Sequence, residues 1–152
     1  MKPLVTTVEE VLRDAIQSEV ETRVYYLLMS ERAGSPEVRQ RLTQLADGEL
    51  MHRAKLERKY RDMLGTAPPD PNPVQFDIPP EIANLDMRHA LKYALERERD
   101  SESHYRFQAE RVPNTELGRL FMELAEIEWK HKTDLQAEYD RVAAPEQFLM
   151  DM

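Results

Sequence analysis

One pattern of ionisable residues occurs twice in this chain at a fixed offset. Glu19 is followed by Glu49 and His52, and Glu98 by Glu128 and His131, each member of the second set lying 79 residues after its counterpart. Glu49 with His52, and Glu128 with His131, are three residues apart, so each pair shares one face of a helix. A lone Glu on one helix and a Glu-x-x-His on the next, present twice, supplies carboxylate and imidazole ligands for two metal ions inside a four-helix bundle. A single Glu-x-x-His is common on solvated helix faces. Two copies, each preceded by a Glu at the same 30-residue separation, are not.

The breaks between helical segments support that architecture. The 3.6-residue period predicts helices over about 7–33, 36–64, 85–111 and 115–142. Gly34 and Ser35-Pro36 give a stop, a cap and a first-turn proline, so the first two helices form a tight hairpin. Pro113-Asn114 makes the second short turn. Between the hairpins, residues 65–84 contain six prolines and exclude a continuous helix. A linker of that length can extend to roughly 60 Å, against roughly 40 Å for a helix of 27 residues. It can therefore cross the bundle and start the third helix at the end where the second began. The expected fold is all-α, a four-helix bundle of two hairpins joined by a long crossover, with residues 1–152 forming one domain and the last ten residues a tail.

The ionisable pattern falls on the inward stripes. In the first hairpin these read Leu12, Ala15, Glu19, Thr22, Tyr26, Met29 and Leu42, Leu45, Glu49, His52, Leu56, Met63. In the second they read Leu91, Ala94, Glu98, Ser101, Tyr105 and Phe121, Leu124, Glu128, His131, Leu135, Val142. Four carboxylates at one level of an apolar core repel one another and are costly to desolvate. Two divalent cations balance them, and two His with four carboxylates suit iron or manganese. Tyr26 and Tyr105, each seven residues after a seam Glu, are placed to hydrogen-bond the ligand carboxylates. His89 and His104 have no Glu at ligand spacing and read as surface residues; Trp129 points off the seam.

Composition removes other chemistries. Without Cys there is no disulfide, thiolate nucleophile, Cys-bound zinc or rubredoxin-type iron centre. A net charge of −8 with no basic patch argues against nucleic acid. No apolar run is long enough to span a membrane, and the first ten residues have no signal core, so a cytoplasmic location is expected.

Four segments, AIQSEVETRVYY around Glu19, LADGELMHRAKL around Glu49 and His52, ALERERDSESHY around Glu98 and LAEIEWKHKTDL around Glu128 and His131, resemble the ferritin-like di-iron superfamily, specifically its rubrerythrin branch. The resemblance covers about residues 7–142. It implies that Glu49 and Glu128 bridge two iron ions, that Glu19 and His52 complete one ion and Glu98 and His131 the other, and that no catalytic residue acts beyond these ligands. Manganese or zinc fits the same set. Rubrerythrins usually add a Glu three residues after the third-helix ligand, where this chain has Ser101, so the site resembles the more symmetric bacterioferritin centre. The haem-binding Met of bacterioferritins directly follows the second-helix Glu; here Leu50 stands there, and no haem is expected. With no Cys for a rubredoxin module, electrons must come from an external donor. The resemblance thus implies a non-haem di-iron oxidoreductase, a homodimer, that oxidises Fe(II) or reduces hydrogen peroxide or dioxygen. The alternative is a ferritin-like iron-binding or storage protein with a ferroxidase centre.

Overall fold

A computed structural model describes the backbone of residues 7–151 and the side chains of residues 7–144. Its four helices are α1 (Val8–Ser30), α2 (Pro36–Leu64), α3 (Met87–Arg111) and α4 (Glu116–Asp151). Each begins where a short polar side chain satisfies an otherwise unpaired backbone N–H, an arrangement that contributes about 1 kcal/mol per helix. Thr7 accepts from the Glu10 N–H, Ser35 from Val38, Asp86 from His89 and Thr115 from Gly118, over 2.8–3.3 Å. Pro36 occupies the first turn of α2, whose far end stops at Gly65 in the left-handed region, φ 73°.

The helices pack chiefly as two pairs, α1 with α2 and α3 with α4. The crossover returns to where α2 started: the Leu85 N–H donates to the Arg32 carbonyl (2.8 Å) and the Gly34 N–H to the Leu85 carbonyl (2.9 Å). Gly34 permits this approach, because a Cβ there would lie 2.9 Å from the Asn84 backbone. Two further anchors fix the strap. Gln17 pairs with the Asn72 backbone, and the Arg97 guanidinium packs over the rings of Tyr25 and Phe76 while donating to Thr22.

Three boundaries differ from the expected ones. α1 ends at Ser30 rather than 33, because the backbone at Arg32 and Gly34 pairs with Leu85. That same pairing, followed by the Asp86 cap, delays α3 to Met87. α4 does not stop at 142: its backbone stays helical through Asp151, so the expected tail extends the helix. Ala143, Ala144, Glu146, Gln147, Leu149 and Met150 are helix formers, and they outweigh the single donor missing at Pro145.

The core divides into two apolar clusters. One, toward the start of α1, gathers Leu12, Ile16, Leu56, Tyr105, Leu117, Phe121 and Leu124 with their neighbours. The other, toward the crossover's return, gathers Tyr26, Met29, Leu42, Leu91, Leu95 and Leu135. Each buried Leu, Ile or Phe contributes about 1.5–3 kcal/mol by leaving water. Two expected seam positions near helix ends, Met63 and Val142, are instead exposed. Between the clusters lies a polar layer. No helix among the described residues is long and apolar enough to cross a membrane.

Candidate metal centre

The polar layer consists of Glu19, Glu49, His52, Glu98 and Glu128, each at most 5 % exposed, together with the half-buried His131. α1 and α3 contribute one carboxylate each, and α2 and α4 a Glu and a His each. The i, i+3 spacing aims each such pair inward from one helix face. Carboxylates this deep are held there by helices whose apolar neighbours must also be buried.

Within the layer, His52 is central. Its Nδ1 lies 2.9 Å from Glu128 Oε1 and 3.6 Å from one oxygen of both Glu19 and Glu49. Its ring stacks near-parallel to that of His131, centroids 5.9 Å apart. Two overlapping groups have potential ligand atoms within 4.8 Å of one another: Glu19, Glu49, His52 and Glu128, and His52, Glu128 and His131. Glu98 joins neither group. It accepts a 3.0 Å hydrogen bond from the Tyr26 hydroxyl, and with Glu49 and His131 it lines a cavity of about 170 Å³.

The two tyrosines therefore part company. Tyr26 reaches a carboxylate of the layer, whereas the equally buried Tyr105 hydroxyl has no hydrogen-bond partner among the described residues. Tyr105 packs on Phe121 and His104. His104, expected at the surface, is half-buried, and the His89 ring lies against Asp86, the cap of α3, with Nδ1 2.7 Å from Oδ1. Trp129 is exposed, as its off-seam position requires.

Without a cation the layer holds protons instead. Burial raises Glu19 well above the usual carboxylate range, and the adjoining Glu49 carboxylate adds to the rise. For Glu49 burial acts upward, but contacts with Glu19 and His52 outweigh it and the net shift is down. One proton is thus shared by two neighbouring carboxylates, the usual outcome for like charges in one site. Burial alone would lower His52, yet Glu128, Glu19 and Glu49 push it up to about 12. Burial raises Glu128 against the opposing effect of His52, and burial together with the charge on His52 lowers His131.

Unpaired atoms give the test of whether cations fit. Glu19 Oε2, Glu49 Oε2, Glu98 Oε2, both Glu128 oxygens and His52 Nδ1 are buried with no aligned hydrogen-bond partner. Buried polar atoms normally find partners. Here lone-pair donors from all four helices converge without any, and hard or borderline divalent ions take such oxygen and nitrogen donors.

The sequence reading missed the cavity beside these residues. It lies between α2 and α4, with Glu49, Glu98 and His131 deep and Arg41, Gln44, Leu45, Gly48, Asp134 and Leu135 around them. A comparison of Gly48 with position 127, across the 79-residue offset, would have signalled it.

Comparison with known proteins agrees with the geometry. The Rubrerythrin family model matches residues 10–139, a span that holds all six candidate ligands. A solved structure of a hypothetical protein from Pyrococcus furiosus is similar over 88% of this chain and 89% of its own, at 26% identity and a TM-score of 0.62. No curated protein matches the chain.

Proposed function

The chain belongs to the rubrerythrin family, a family of ferritin-like di-iron domains, and from that premise we propose that it is a non-haem di-iron oxidoreductase acting on Fe(II) and a small oxidant, hydrogen peroxide or dioxygen. The observation that carries the reading is the set of buried, unpaired donor atoms in mid-bundle, contributed by both hairpins. Glu19, Glu49, His52, Glu98, Glu128 and His131 are the residues that would hold the two ions. A pair of iron ions bound there would supply two-electron redox chemistry toward a small oxidant.

The chain's own residues set the conditions. Four carboxylates against two divalent cations leave the layer near neutral, which offsets the desolvation that otherwise forces protons onto Glu19 and Glu128. Tyr26 fixes the orientation of Glu98 by donating to one of its oxygens, leaving the other for a cation. The apolar clusters shield the layer from its two ends along the bundle. Reducing equivalents come from an external donor, and a homodimer is the assembly we favour.

Anaerobic loading with Fe(II), followed by stopped-flow mixing with peroxide or with dioxygen, tests the reading. Wild type should bind about two irons per chain and oxidise them rapidly; Glu49→Ala combined with Glu128→Ala should do neither. Equal oxidation rates in the two proteins would refute the assignment. Uptake of many irons per chain into a large assembly would replace it with iron storage.

A further inference from the structure

The two halves of the centre are related by the 79-residue offset, but their surroundings are not. On the cavity side, α2 presents Gly48 one residue before the ligand Glu49. Its counterpart before Glu128 is Ile127, which packs against the apolar cluster around Phe121. Arg41 on the cavity side corresponds to Leu120, packed on the same cluster. Where one half packs two aliphatic side chains on an apolar cluster, the other therefore has Gly48 and Arg41 lining a cavity that reaches the layer.

Gly48 is not required by packing. A Cβ built there meets no atom within 4 Å, and its backbone is ordinary helix, where glycine is unfavourable relative to alanine. The space its missing side chain leaves adjoins the cavity that reaches Glu49, Glu98 and His131. Accordingly His131 is half-buried while His52, its counterpart, is 5 % exposed.

Charge points to what passes. At the rim, Arg41 is engaged by Glu138 through two contacts of 2.6 and 3.0 Å, so the exposed Asp134 sets the sign. Across the offset the positions of Gln44 and Asp134 are taken by Glu123 and Lys55, whose opposite charges sum to zero. An acidic rim leading to carboxylate walls concentrates cations and disfavours anions.

We infer that divalent cations reach the centre through the cavity between α2 and α4, and that Gly48 is the residue that keeps this passage open. The inference rests on the metal-centre reading above. It concerns the cavity side only; across the 79-residue offset the corresponding positions carry Ile127 and Leu120, packed on the Phe121 cluster.

The probe is Co(II), mixed with chelator-treated protein and followed by its absorption in a stopped-flow instrument. Gly48→Leu should load about a decade more slowly, within the range over which single substitutions alter association rates, yet reach the same number of ions per chain as wild type. Gln44→Trp, placed at the exposed rim where it disturbs no packing, should also slow loading, which keeps the test valid if Gly48→Leu is unstable. Ile127→Leu should load at the wild-type rate. Asp134→Asn should slow loading at low salt and not at high salt. Wild-type rates in both Gly48→Leu and Gln44→Trp would overturn the passage while leaving the centre intact. Failure of wild type to bind Co(II) at all would overturn the centre and the passage together.

Discussion

The His52 and His131 halves of the polar layer are made from the same residue types at the same spacing, yet they are built for different tasks. His52 sits among three carboxylates, near-completely buried, with its Nδ1 2.9 Å from Glu128. His131 is half-buried and faces the cavity beside Gly48 and Asp134. Equivalent sequence thus yields one half that holds the layer together and one that opens to solvent. The lesson is that a repeat fixes donors, while the residues next to the donors decide access.

Substituting each histidine breaks the comparison most sharply. In the metal-free protein, His52→Ala leaves three buried carboxylates without their positive neighbour and should cost about 3–5 kcal/mol, as when a buried pair loses one partner. His131→Ala, which leaves no such orphan, should cost well under half of that in the same urea titration. Similar losses for the two would show that the halves are energetically alike.

The pH dependence follows from the same contrast. Against the effect of burial, Glu128, Glu19 and Glu49 push His52 up to about 12 in the folded chain from an ordinary 6.5, so its stabilisation is complete below about pH 6.5 and is lost as pH rises through 12. His131 is shifted the other way, so its contribution changes only as pH falls below 6.5. Between about pH 7 and 9 the melting temperature of chelator-treated protein should therefore decline, and His52→Gln should flatten the slope where His131→Gln does not. Metal-loaded protein should instead lose stability on acidification, because protons compete for the ligands. A chelator that leaves the wild-type melting profile unchanged at every pH would contradict the centre.

A smaller effect separates the tyrosines. Tyr26→Phe removes a buried hydrogen bond to Glu98 and should cost about 1–2 kcal/mol. Tyr105→Phe removes a hydroxyl with no hydrogen-bond partner among the described residues and should be neutral or slightly stabilising in the same unfolding assay. Least of all, Gly48→Ala should raise stability by about 0.5–1 kcal/mol, since a methyl meets nothing within 4 Å and the helix gains a better former. A destabilised Gly48→Ala would mean that packing, not access, explains the glycine.

Much of this was legible in the sequence because it is locally encoded. Ser35-Pro36 and Gly65 mark the ends of α2 without reference to the rest of the chain, and α2 runs from Pro36 to Leu64 as expected. The end of α1 and the start of α3 differ from expectation by three and two residues because Leu85 pairs there with a segment some fifty residues away, which periodicity does not register. The last ten residues, expected as a tail, continue α4 because helix formers predominate there. At the centre, the 79-residue repeat brought the donors into one layer. It did not distinguish Tyr26 from Tyr105 or set Glu98 apart, because those differences arise from rotamers and packing across hairpins.

The crossover supplies none of the candidate ligands; each hairpin carries three, and the strap between them lies against α1 and the start of α3. Covalent continuity and ion binding are consequently separable tasks. A chain nicked by protease in the proline-rich stretch would become two fragments, each with half a site, and the ions they share would then act as the clasp that recombines them. Reassembly of such a nicked pair should depend more steeply on divalent metal than the stability of the intact chain does.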